Sequence, residues 1–200
     1  MYPLIQIAGF LFVLGGAAVH TLSRSWTRSL LAFAAQSLGI GILAWQFSPL
    51  PMAMAKCVVG WLAAALISVT LAREGVVHAE ISNKPVSVIF RASLLLLILS
   101  AVLSLLPEFS GIFRHPPYGI LAVTAFLIGT GLINIGFSEH ACRVAIGLLT
   151  ALQGFELGYL WMEQSLLVIG LLAAADLAIV LALITLFSFS IPASAGEEGK

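Results

Sequence analysis

The stretch Ser165–Phe187, SLLVIGLLAAADLAIVLALITLF, has a single charged side chain, Asp176. An α-helix rises 1.5 Å per residue, so about 20 mainly apolar residues cross a hydrocarbon core of roughly 30 Å. The stretch is long enough to do so. It reads as a transmembrane helix with a carboxylic acid about eleven residues in, near the bilayer midplane.

Moving outward, six further segments meet the same criterion: Pro3–Leu22, Ser29–Phe47, Met52–Ala72, Phe90–Leu106, Tyr118–Phe137 and Arg143–Met162. Seven spans of about 20 residues take up about 140 positions and leave room only for short loops and a tail. Composition agrees. The chain is 60% hydrophobic and 9% charged, where a soluble domain has roughly 25% charged residues, and its mean hydropathy is +1.10. Nine basic residues balance nine acidic ones, which argues against nucleic-acid binding, because that needs a basic excess. A β-barrel would show alternating segments of roughly ten residues, whereas these runs are continuous. The expected fold class is an all-α integral membrane protein of about seven transmembrane helices. Met1-Tyr-Pro has neither the basic region nor the cleavage pattern of a signal peptide, so the first helix is expected to be retained. The fourth span reads as a short, leucine-dense, lipid-facing connector that stops at Pro107.

Lys and Arg accumulate in cytoplasmic loops. Arg24, Arg28, Arg73, Lys84, Arg91, Arg143 and Lys200 fall on one side, against Arg114 and Lys56 on the other. This predicts a multi-pass protein of a cell (inner) membrane, N-terminus outside and C-terminus cytoplasmic. Cys57 and Cys142 fall near opposite ends of their spans, too far apart for the roughly 7 Å Cα separation that a disulfide allows. The four histidines and two cysteines lack metal-ligand spacing. His20 and His140 read as interfacial residues near the cytoplasmic surface, and His78 and His115 as loop residues.

Spans one to three and five to seven share an outline: a Gly-rich helix, a basic turn, a second helix, an outer turn and a third helix. Arg28 and Arg143 open the second helix of each triplet, and Gly60-Trp-Leu-Ala-Ala-Ala-Leu66 parallels Gly170-Leu-Leu-Ala-Ala-Ala-Asp176. Phe47-Ser-Pro-Leu-Pro-Met supplies the longer outer turn that the first triplet needs. One crossing between the triplets gives them the same orientation, as in parallel transporter repeats. The expected organisation is a first repeat over 1–72, a loop and connecting helix over 73–117, a second repeat over 118–187 and a cytoplasmic tail over 188–200.

An ionisable group inside a bilayer costs at least about 2.5–3.5 kcal/mol and is a functional candidate by default. Asp176, Glu156 and Lys56 qualify. Glu156 lies about 9 Å in from the outer end of its span, and Lys56 close to the same depth. Lys56 either snorkels to the interface or pairs with Glu156. Asp176 is too short to snorkel and must be protonated, paired or facing water. Gln153, three positions before Glu156, shares its helix face. Gly147, Gly154 and Gly158 permit close helix approach, and Asn134 adds an amide nearer the cytoplasmic end.

The stretch Gly129-Thr-Gly-Leu-Ile-Asn-Ile-Gly-Phe-Ser-Glu-His-Ala-Cys-Arg-Val-Ala-Ile-Gly, then Gln153, then Ala173-Ala-Ala-Asp-Leu-Ala-Ile-Val-Leu-Ala-Leu, resembles chain 4L, the K-type subunit, of respiratory complex I. In length and span count the chain is more similar to the E-type membrane subunit of the hydrogenase-4 type membrane-bound hydrogenases. Phe33-Ala-Ala-Gln-Ser-Leu and Lys56 extend that likeness into the first half. The resemblance implies a membrane-arm subunit beside antiporter-like chains, with no redox centre, cofactor or catalytic centre of its own. It also places Asp176 at the acid of the last helix and Gln153 at an amide position of the middle helix. The middle-helix Glu of chain 4L falls on Leu149. Glu156 lies seven residues on, hence on the same face and about 10 Å further out.

The function expected from the sequence is therefore a non-redox subunit of a complex I-like or group 4 hydrogenase-like assembly. It contributes to proton or sodium translocation through Asp176, Glu156, Lys56 and Gln153. The alternatives are an independent small carrier, or a purely structural subunit that stabilises larger partners. A retinal photoreceptor is disfavoured, because the last span has no Lys.

Overall fold

A computed structural model describes residues 3–73, 88–112, 117–138 and 141–190. Those residues form seven helices: α1 Pro3–Leu22, α2 Trp26–Ala44, α3 Leu50–Arg73, α4 Val88–Ile112, α5 Tyr118–Gly136, α6 Ala141–Met162 and α7 Leu166–Ser190. All seven are long and apolar enough to span a membrane, and the fold is an all-α integral membrane protein. In a bilayer the backbone must satisfy its own hydrogen bonds, and a continuous helix does so within one segment. Starts are marked by local chemistry. Pro3 opens α1, where a missing N–H costs nothing. Extended Ser25, at φ −105°, precedes α2, and Pro117 precedes α5.

The fourth helix corrects the sequence reading. It does not stop at Pro107 but runs 25 residues through it to Ile112. Unwinding at a proline inside an apolar environment would expose further N–H and C=O groups, so continuing the helix costs less than ending it. Much of its surface faces out of the bundle: Ile89, Leu96, Leu97 and Leu103 are exposed, whereas Arg91 and Leu95 are buried.

Within each triplet, consecutive helices pack side by side. Across the triplets, α1 lies on α5, α2 on α6 and α3 on α7, so each helix touches its counterpart. The middle helices α2 and α6 are the most enclosed. The apolar core is split in two. One cluster includes Val13, Ile40, Leu43, Ala53, Leu157 and Ile169. The other includes Phe33, Ala63, Ile67, Ile146, Leu149 and Val180. On α2, α3, α6 and α7 alike, polar residues fall between the positions given to the two clusters. The end of the bundle that bears Arg28 and Arg143 is its basic end.

Lipid tails are as apolar as leucine, so close backbone packing, not water exclusion, holds spanning helices together. A Cβ on Gly131 would lie 2.6 Å from the Ala151 nitrogen, and one on Gly147 would lie 2.9 Å from the Gly131 carbonyl. The obstacles are backbone atoms and cannot rotate away. Gly154 faces Leu127 Cβ and the α5 backbone at Ile128 and Thr124, and Gly158 faces the Thr124 side chain. Gly131→Ala is therefore expected to destabilise the bundle by about 1–3 kcal/mol. Gly15→Ala and Gly170→Ala, where a Cβ meets nothing within 4 Å, should leave it unchanged. Thermal unfolding in detergent or nanodiscs distinguishes them.

Candidate functional site

Helix α6 carries Thr150, Gln153 and Glu156 at successive spacings of three residues, so each is a surface neighbour of the next. All three are buried. Facing them are Gln36 and Ser37 of α2, Lys56 and Gly60 of α3, and Asp176 of α7. The site thus joins the middle helix of each triplet to the third helix of each.

Its centre is an ion pair. Lys56 Nζ lies 2.6 Å from Glu156 Oε2, with the two side chains 7% and 2% exposed. Lys56 does not snorkel; its equal depth with Glu156 becomes a direct contact. Neither Lys56 Nζ nor the Glu156 oxygens has a further hydrogen-bond partner among the described residues. Asp176, 6% exposed, lies beside Glu156 and within electrostatic reach of Lys56. Two acids and one base would carry a net charge of −1 if all were ionised, and one added proton makes the cluster neutral. A buried net charge is costly in a low-dielectric interior, so two acids against a single base are costlier to bury than the ion pair alone.

An amide network adjoins the pair. Gln36 Nε2 donates to Gln153 Oε1 at 2.9 Å, and Gln153 Nε2 donates to Ser37 Oγ at 2.8 Å. The Ser37 hydroxyl donates to the Phe33 carbonyl at 3.0 Å. Because the hydroxyl proton is committed to Phe33, Ser37 can only accept from Gln153, which fixes the orientation of both amides. Gly60 makes the room. A Cβ there would collide with Ser37 and come within 3.1 Å of Gln153 Nε2.

The four residues singled out from the sequence, Asp176, Glu156, Lys56 and Gln153, come together in one layer. Leu149, the position matched to the chain 4L glutamate, is instead buried in an apolar cluster. Asn134 lies elsewhere, donating from Nδ2 to Thr21 Oγ1 at 2.9 Å. Sequence reasoning missed Gln36, Ser37 and Thr150, and did not bring His20 into contact with other helices. That histidine is 1% exposed, because Thr150, Asn134 and Gln36 enclose its ring. The three-residue spacing of Thr150 from Gln153 was the available signal. His78, His115 and His140 lie outside the described residues. Both cysteines are free, and no metal-binding group occurs among the described residues.

No protein-family model, no curated protein and no solved structure matches the chain.

Removing one partner of a buried ion pair leaves an uncompensated charge, which costs about 3–5 kcal/mol, whereas replacing both with apolar groups is often neutral. Lys56→Met and Glu156→Met should each lower stability by about that amount. The double variant should recover most of it, read from thermal unfolding of the purified chain. Gly60→Ala should break the Ser37–Gln153 hydrogen bond, destabilising by about 1–3 kcal/mol, and Gly60→Ala with Ser37→Gly, which relieves the collision but removes the acceptor, should not restore the loss.

Proposed function

We propose that the chain is a non-redox membrane subunit of a complex I-like or group 4 hydrogenase-like assembly, contributing to proton translocation beside antiporter-like subunits. The observation that carries this reading is the buried Lys56–Glu156 pair with Asp176 against it. A base and two acids in one desolvated layer take up and release a proton with a change in net charge. Such a change is felt over long distances where screening is weak. That is the chemistry a coupling subunit needs: the charge state of this layer responds to, and acts on, charges in adjoining chains. The resemblance to chain 4L and to the E-type membrane subunit of the hydrogenase-4 type supports the same reading at Asp176 and Gln153. The distribution of basic residues supports an N-terminus outside and a cytoplasmic C-terminus.

An independent carrier would need a substrate site at broken helices near the midplane. Helices α3, α6 and α7 run unbroken past the charged layer, and the proline inside α4 is remote from it in sequence. The continuous helices favour the coupling role.

Purification in mild detergent should recover the chain with antiporter-like subunits and an iron–sulfur or nickel–iron oxidoreductase. In such an assembly Asp176→Asn keeps the size and removes the titrating proton. Proton uptake coupled to electron transfer, read with a pH-sensitive dye in membrane vesicles, should fall by roughly tenfold or more, with the assembly intact. Normal pumping by this variant, or a monodisperse chain that never co-purifies with partners, would sink the proposal.

A further inference from the structure

The charged layer does not end the buried polar structure. On α6, Thr150 stands two three-residue steps from Glu156, about 9 Å toward the basic end, and beside it sits His20. The ring of His20 is held from three helices. Its Nε2 lies 3.4 Å from Thr150 Oγ1 on α6 and its Nδ1 lies 3.5 Å from Asn134 Nδ2 on α5. The Gln36 amide of α2 faces it as well. Gln36 is also the residue that donates to Gln153, so His20 adjoins the amide network that flanks the ion pair.

The neighbouring hydrogen bonds determine the tautomer. The Thr21 hydroxyl donates to the Ala17 carbonyl at 2.8 Å, so Thr21 Oγ1 accepts from Asn134 and the Asn134 NH2 group is fixed in place. That group has only protons to offer the ring, so Nδ1 is the bare, accepting nitrogen. The Thr150 hydroxyl donates to the Ile146 carbonyl at 2.7 Å, which leaves its lone pairs for a proton on Nε2. Neutral His20 therefore carries its proton on Nε2. Meanwhile Gln36 Oε1 is buried with no donor.

We propose that His20 is the proton-carrying station between the Lys56–Glu156–Asp176 layer and the basic end of the bundle, held in its tautomer by Asn134 and Thr150. The inference rests on the reading of that layer as a proton-handling site. Glutamine amides exchange protons poorly, so Gln36 and Gln153 orient the path and the imidazole carries the proton. The roughly 9 Å between the level of Thr150 and that of Glu156 is lined by Gln36 and Gln153, which are joined by a hydrogen bond of 2.9 Å. Beyond His20 the path meets Thr21, whose carbonyl accepts from Arg91 of α4 at 3.4 Å, and then Ser23, whose carbonyl accepts from Arg143 of α6. Arg143 is the charged group acting on the ring. The groups facing it from α2 and α5, Gln36 and Asn134, are uncharged.

The test uses the full chain in proteoliposomes and needs no partner subunit. A light-triggered acid releases protons on the side bearing Arg28, and time-resolved infrared spectroscopy follows the carboxyl bands of Glu156 and Asp176. His20→Ala should slow their protonation by roughly tenfold or more. Thr150→Val, close in size but without the hydroxyl, should slow it by at least about threefold and carries the test if His20→Ala fails to fold. Nitrogen-15 NMR of the labelled wild-type histidine should show the neutral ring protonated on Nε2. Unchanged rates in a folded variant, or a ring protonated on Nδ1, overturns the proposal. A chain that assembles with no oxidoreductase overturns the function proposed above and leaves these readouts standing.

Discussion

Two opposite charges in contact, shielded from both water and lipid, set the terms for the rest of this bundle. Desolvating an ammonium and a carboxylate costs several kcal/mol for each ion, and only close contact between them offsets it. Lys56 and Glu156 are a hundred residues apart in the chain, on helices of different triplets. Their contact therefore requires the two triplets to interlock. Helix α2 lies on α6 and α3 lies on α7, which brings α3 and α6 to face each other across the charged layer. The Gln36–Gln153–Ser37 network crosses the same boundary. The polar residues thus register the triplets against each other, a task that apolar helices sliding in lipid cannot accomplish by hydrophobicity.

The layer is sealed by the way in which the apolar core divides around it. On α3, Ala53 belongs to one cluster and Ala63 to the other, with Lys56 and Gly60 between them. On α7, Ile169 and Val180 flank Asp176 in the same fashion. Plugs of this kind on both sides keep the local dielectric low, which makes the charge state of the layer consequential. Toward the basic end, the polar atoms of His20 on α1 and Thr150 on α6 replace the apolar packing found on α3 and α7 at a comparable level.

The fold is legible in the sequence because length and apolarity alone specify a spanning helix. All seven spans can be read that way, and the bounds of the helices other than α4 shift by no more than three residues. Pro107 misleads because proline reads as a stop, while the bilayer removes the hydrogen-bonding solvent that makes stopping acceptable. The ion pair is legible through depth, since rise per residue converts sequence position into height. Rotation about the helix axis is not legible. In spans apolar on every face, nothing in the hydropathy pattern tells which side turns inward. Gln36 and Ser37 consequently give no sign of which way they turn, Thr150 gives only its three-residue spacing from Gln153, and His20, two residues before the end of its helix, reads as an interfacial residue. It is buried because α2, α5 and α6 close over that end.

The position of the acid on α6 bears on how the site works. An acid at the level of Leu149 would stand next to Thr150 and hence at the height of His20. Leu149 is instead packed among Phe33, Ile146 and Val180, and the acid stands seven residues on, on the same face but about 10 Å higher. There it meets Lys56, which no position near Leu149 could reach. Glu156 thus has a counter-ion in contact, and the level of Leu149 and Thr150 is left to His20. The two arrangements differ in where charge is stored. An acid at 149 would place the negative charge at the level of the ring, whereas Glu156 places it against Lys56 and beside Asp176. The charges of the site therefore gather where α3 and α7 meet α6, and α3 and α7 supply the two groups that face Glu156.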